Sequence, residues 1–351
     1  MEPNDRTAVS RDLGIDLLKT IAIFGVIVIH TSGDGYSNPI GSFDWFSAVF
    51  WGSIARASVP VFLMCSGALL LNPRKEKTIR DVYFKNILRI ILAMFVWSMA
   101  YKIYHLLCSG TWNLPAFIHA VKEVLLFKQE YHMYYLHIIL LVYAFLPITR
   151  VFIRHATQKE LRYALAVWFV LGILYPTVKP DWPFTLLGGI PAQWLMNMTY
   201  ASIGYGILGY YLTRYPLSGK CSFFLFGFGF LFVFGMTILS SMKTQTLAVR
   251  FLEGMSFGVS LLAAGLFGLC YGRKERISGK AAALAVNLSR GSFCVYLVHV
   301  FVIYLFAGFG IGANAFPCLL SIPLLAALNL LISYGCYFVL SKIPVVRRWL
   351  V

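Results

Sequence analysis

Ten apolar segments follow one another from Ile15 to Leu340, and no gap between them could hold a soluble domain. They lie at 14–31, 46–71, 86–107, 132–153, 162–178, 196–213, 222–241, 253–271, 290–309 and 316–341. A helix crosses a bilayer with about 20 predominantly apolar residues, so each segment is read as a span. Composition agrees: 59% of the 351 residues are hydrophobic and 13% are charged. Soluble domains run near 45–50% and about 25%. The expected fold is an all-α integral membrane protein, a bundle of about ten transmembrane helices forming one domain over 1–351.

A net charge of +16 would suit a nucleic-acid partner, but its distribution argues for membrane lipids instead. Six regions hold twenty basic residues: Arg6 and Arg11; five within 72–85; Arg150, Arg154, Lys159 and Arg162; Arg214 and Lys220; four within 273–280; and Lys342, Arg347 and Arg348. The alternating connections hold five: Lys122, Lys128, Lys179, Lys243 and Arg250. Basic loops stay cytoplasmic, so an even number of spans and two cytoplasmic termini follow, with a leader at 1–13 and a tail at 342–351. The leader is polar and of mixed charge, unlike a cleavable signal. The seven cysteines fall mostly in apolar stretches without a CxxC pair, and are expected to pack as small hydrophobes. The histidines are scattered over different loops and spans, and no His/Asp/Glu spacing suggests a metal.

Span one carries three ionisable residues, Asp16, Lys19 and His30, in GIDLLKTIAIFGVIVIH. Charges within a span are costly and normally face a protein interior or cavity. At 100° per residue, Lys19 and His30 differ by about 20° in phase and about 16 Å in rise, and Asp16 shares their face. Arg56 lies about ten residues into span two, too deep to reach a membrane surface, and needs a partner or water. On span nine, Ser292 and His299 share a face about 10 Å apart, placing a second histidine in mid-membrane.

These stretches resemble the membrane acyltransferase family 3. GIDLLKTIAIFGVIVIH resembles its first helix, with Lys19 where the family has Arg, then ten residues before the His. ARASVPVFLMCSGALLL matches its Arg-containing helix at Arg56, Pro60, Phe62, Ser66 and Gly67. YFKNILRIILAMFVW resembles the basic start of helix three, keeping Arg89 but with Asn86 at the family's other Arg. YHMYYLHIILLVYAFLPI and RGSFCVYLVHVFVIYLF resemble two later helices, and all five motifs occur in family order. The nearest group in appearance is the stand-alone O-acetyltransferases of surface polysaccharides such as enterobacterial common antigen.

The resemblance implies transfer of an acyl group, expected to be acetyl, from cytoplasmic acyl-CoA to a hydroxyl of an extracytoplasmic glycan or lipid-linked precursor. It places the protein in a cell membrane, with the bacterial cytoplasmic membrane expected. His30 is then the general base or acyl carrier. Arg56 would stabilise the thioester oxyanion, and His299 would orient His30 or the acceptor. Lys19, Lys85 and Arg89, with Asp16 beside Lys19, would hold the CoA phosphates; no metal is implied. His132, Tyr134 and Tyr135, read as the outer start of span four, would stack on the sugar. The alternative from another class is a transporter or flippase for a glycan or small polar substrate, whose paired interrupted halves the sequence does not display.

Overall fold

The computed structural model describes residues 11–351. Arg6 and the rest of the first ten leader residues lie outside them. The described residues are helical without strands. In chain order come α1 (Leu13–Thr31), α2 (Phe43–Ala55), α3 (Ser58–Leu70), α4 (Ile79–Asp81), α5 (Leu88–Cys108) and α6 (Leu114–Leu125). Then follow α7 (Tyr134–Ala144), α8 (Leu146–His155), α9 (Gln158–Trp168), α10 (Tyr175–Val178) and α11 (Met198–Arg214). The last five are α12 (Gly219–Thr244), α13 (Phe257–Tyr271), α14 (Gly279–Gly308), α15 (Cys318–Leu340) and α16 (Pro344–Trp349).

All ten apolar segments are helical. Among the described residues, eight helices are long and apolar enough to cross a membrane, or nine if the α7–α8 pair counts as one span bent by 50°. Pro147 accounts for that bend, because it has no N–H to offer the Tyr143 carbonyl one turn back. The sixth segment, α11, has 17 residues, about 26 Å of helix, which is shorter than a full bilayer crossing. Span nine begins earlier than its hydropathy suggests: α14 starts at Gly279, and its added first turns pack on α1. There Thr20 Oγ1 donates to Ala285 O at 2.9 Å and Ser289 Oγ donates to Asp16 Oδ1 at 2.6 Å.

α1 lies at the centre of the bundle. Asp12 caps its first turn, its Oδ1 accepting from the Gly14 and Ile15 amides at 3.0 and 3.4 Å. Leu18, Ala22, Ile23 and Ile27 are wholly buried, and α1 packs on α2, α3, α13, α14 and α15. Span two is broken in its middle at Arg56–Ala57, between α2 and α3. Pro60 explains the position, since it cannot donate to the Arg56 carbonyl four residues earlier. Gly25 of α1 receives that break: a Cβ there would stand 2.1 Å from Ser58 Oγ. The break therefore presses against the turn of α1 that leads to His30.

α3 and α11 cross at backbone contact, where a Cβ on Gly209 would come within 2.0 Å of Met64 O. Small residues at such crossings let helices gain dispersion contacts that lipid cannot supply. Gly209→Leu is expected to force α11 outward and cost at least about 1–3 kcal/mol, read as a fall of several degrees in thermal unfolding of the detergent-solubilised protein. An unchanged midpoint would mean that the crossing relaxes freely. At the periphery, α12 turns Phe223, Phe224, Leu231 and Leu239 outward, each more than 60% exposed, as a lipid-facing helix requires.

Candidate active site

Three histidine rings meet inside the bundle. His30 ends α1, His132 sits in the 3₁₀ turn Tyr131–Met133 before α7, and His299 lies on α14. Ring centroids are 5.2 Å apart for His30–His299 and for His132–His299, and 6.4 Å for His30–His132. His299 Nδ1 lies 2.7 Å from Tyr296 O and 3.2 Å from Val295 O, so Nδ1 carries the proton and donates to its own helix. That tautomer leaves the buried Nε2 with a free lone pair and no partner. Asn329 Nδ2 donates to His299 O at 2.9 Å and Ser333 Oγ donates to Asn329 Oδ1 at 2.9 Å, fixing α14 against α15. Both nitrogens of His132 are buried without partners, as is Nε of Arg56. Buried polar atoms are normally satisfied, so these four nitrogens, unpartnered among the described residues, make this part of the bundle a candidate site.

His30, Arg56 and His132 line one chamber of about 90 Å³ together with Val26, Val59 and Tyr134. The break in span two delivers Arg56 here. Among the described residues no carboxylate forms an ion pair with it.

A second cavity of about 230 Å³ lies along the same helices, nearer the end of the bundle that carries the basic loops. Lys19, Lys85 and Arg89 line it, with Asn86, Ser66 and Ser292 among its polar groups. Widened π-helical turns at Val82–Ile87 lead into α5 and set Lys85 and Arg89 on its wall. Arg89 also donates to Val351 O and stands 5.4 Å from the Phe293 ring centroid, while Lys85 pairs with Asp81 at 2.6 Å. Lys77 Nζ donates to Asn86 Oδ1 at 2.6 Å, and burial holds its ammonium below the usual lysine range. A third cavity, of about 410 Å³ at that end, carries Arg74, Lys75 and Arg214. Arg150 donates to Leu70 O and Lys75 O.

The expected site residues are thus divided in an order the sequence did not supply. His30, Arg56, His132 and Tyr134 share the smaller chamber, with His299 ring to ring behind it; Lys19, Lys85 and Arg89 share the larger cavity; Tyr135 lines both. Two positions differ from expectation. His132 is not an outer-surface residue but 1% exposed, because Tyr296 Oη donates to His132 O at 2.5 Å and ties its turn to α14. Asp16 does not line the cavity beside Lys19: Arg11 holds its carboxylate through two bonds of 2.5 and 2.8 Å, and Ser289 donates a third. A guanidinium fork satisfies a carboxylate better than a lysine one turn away. Tyr296 and Asn329 went unassigned. Tyr296 stands within the quoted late motif, three residues before His299; nothing in the sequence singles out Asn329.

Spanning helices around a histidine–arginine chamber and a cation-lined cavity define a multi-pass membrane protein with a candidate internal site. Which chemistry that class performs here comes from comparison: the model of the acyltransferase domain, acyltransferase family 3, matches residues 12–338. The chain belongs to that family and is a membrane acyltransferase. No curated protein and no solved structure matches it.

Proposed function

We propose that the protein is an O-acyltransferase of a cell membrane, moving an acetyl group from cytoplasmic acyl-CoA to a hydroxyl of a surface glycan or lipid-linked precursor on the other side. The reading takes the basic loops as cytoplasmic, the whole chain as one domain with ten crossings, and both termini inside. The observation that carries it is the order of the two cavities along one axis. Cations that suit phosphates line the first, a histidine and an arginine that suit acyl chemistry line the second, and α1 runs through both.

In this mechanism Lys19, Lys85 and Arg89 hold the phosphates of the donor, and its pantetheine arm extends toward His30. The acceptor enters past Tyr131 and Tyr134, both about half exposed at the chamber's rim, whose rings stack on the sugar. His30 takes the proton from the acceptor hydroxyl as that oxygen attacks the thioester carbon. The carbonyl oxygen becomes an oxyanion beside Arg56. The C–S bond then breaks, and CoA leaves as a thiolate that receives the proton from His30. His299, fixed by its own backbone, offers Nε2 to hold the imidazole of His30 in orientation.

Membranes containing the protein, given labelled acetyl-CoA and lipid-linked glycan, are expected to place label on the glycan as an ester. Label that never leaves CoA, while glycan still crosses the membrane, would replace this reading with transport. Within the same assay, Lys85→Ala/Arg89→Ala is expected to raise KM for acetyl-CoA about tenfold with kcat nearly unchanged, the signature of lost ground-state binding. A loss confined to kcat would place these cations elsewhere in the reaction.

A further inference from the structure

The two cavities have only two lining residues in common, Tyr135 and Tyr296. Four helices pass both cavities in the same axial order, α7 with Tyr134 at the smaller, Tyr135 at both, and Leu136, Ile139 and Tyr143 at the larger. α1 contributes Lys19 to the larger and Val26 and His30 to the smaller; α3, with the break before it, contributes Ser66 and Phe62 to the larger and Val59 and Arg56 to the smaller; α14 contributes Ser292 to the larger and Tyr296 to both. Lys19 and Val26 differ by about 10 Å of helix rise, so the two spaces are stacked end to end. The tyrosine rings meet edge to face, with centroids 5.7 Å apart and planes 68° apart. Tyr296 is held in place by its bond to His132 O, and Tyr135 leans on Phe62, 6.4 Å ring to ring.

We propose that Tyr135 and Tyr296 form a partition that measures the acyl group, admitting acetyl to the histidine chamber and excluding longer chains. The proposal rests on the acyl-CoA reading above and adds its selectivity. Size decides the matter. A cavity of about 150 Å³ accommodates benzene, which has twice the heavy atoms of an acetyl group. On that scale the chamber of about 90 Å³ holds about four heavy atoms. Acetyl fits. Succinyl has more heavy atoms than benzene and does not fit, although Arg56 would attract its carboxylate. Butyryl is nearly as large as benzene and would have to displace a tyrosine ring.

The test compares kcat/KM for acetyl-CoA and butyryl-CoA in membranes carrying wild type, Tyr135→Phe, Tyr135→Ala and Val59→Ala. Each added methylene is worth about tenfold in a fitted pocket, so wild type should prefer acetyl about 100-fold. Tyr135→Phe retains the ring and should keep that ratio. Tyr135→Ala opens the partition and should reduce it to about tenfold or less. Val59→Ala enlarges the chamber at a lining residue outside the partition and should lower the ratio in the same direction, which preserves the test if Tyr135→Ala does not fold. Equal use of both donors by wild type overturns the proposal while leaving acyl transfer intact. A wild-type ratio that persists in folded Tyr135→Ala or in Val59→Ala overturns it as well. Absence of transfer from any acyl-CoA defeats the donor reading, and the partition with it.

Discussion

Membranes carrying His30→Ala are expected to lose acyl transfer by about 10²–10⁴-fold, the usual contribution of a positioned general base. The expectation rests on what surrounds the ring. His30 lines the chamber beside His132, with His299 ring to ring behind it, and among the described residues no backbone carbonyl claims either of its nitrogens, whereas Nδ1 of His299 is committed to its own helix. The loss should lie in kcat, with KM for acyl-CoA little changed, because Lys19, the cation of α1 that would hold the donor, lies about 16 Å along the helix from His30. His132 supplies the control. It is buried with both nitrogens unpartnered, in reach of the same space. Full turnover by His30→Ala together with a collapse in His132→Ala would transfer the base role to His132. A fall in both variants of more than tenfold would mean that the pair acts as a unit, as interacting catalytic groups do.

Arg56→Ala should lower kcat by about 10²–10³-fold, the cost of removing one preorganised oxyanion donor. The same change should leave thermal stability equal or higher. A half-buried arginine whose Nε is shut from water without a paired carboxylate among the described residues is a net cost to the fold, so a purely structural role would produce the opposite sign. Activity lost while the unfolding midpoint holds or rises is the outcome that identifies Arg56 as functional. Activity and midpoint falling together would identify it as a packing residue. Arg56→Lys keeps the charge without the planar fork and should recover part of kcat. Pro60 is linked to this result. Pro60→Ala restores the missing N–H, lets α2 and α3 join, and should carry Arg56 away from His30.

The membrane class of the chain and the residues that disturb its spans were legible without coordinates. Hydropathy and length mark a helical segment wherever twenty apolar residues must satisfy their backbone in lipid, and helical phase puts Lys19 and His30 on one face of α1. Lys19 does line a cavity and His30 a chamber on that face. Arg56 was conspicuous for depth alone, and Pro60, four residues on, already held the reason for the break that aims it. The limits were equally physical. Periodicity describes a helix against itself and says nothing of which neighbour covers it, so His132 read as a surface residue until Tyr296 was seen to hold its turn inward. Asp16 sat one turn from Lys19 in sequence, yet Arg11 and Ser289 claimed its carboxylate.

In a soluble protein, apolar side chains point to the core and would have reported which face is inside. In lipid, Leu231 at 65% exposed and Val233 at 0% are both apolar and both at home. Lipid tails are as apolar as a core, so hydrophobicity alone determined that these helices span and could not determine how they turn. That choice was left to close helix contact at Gly25 and Gly209, to the helix break before Pro60, and to a few buried hydrogen bonds. Those tertiary contacts brought three distant histidines together and set two tyrosines between them and the cations.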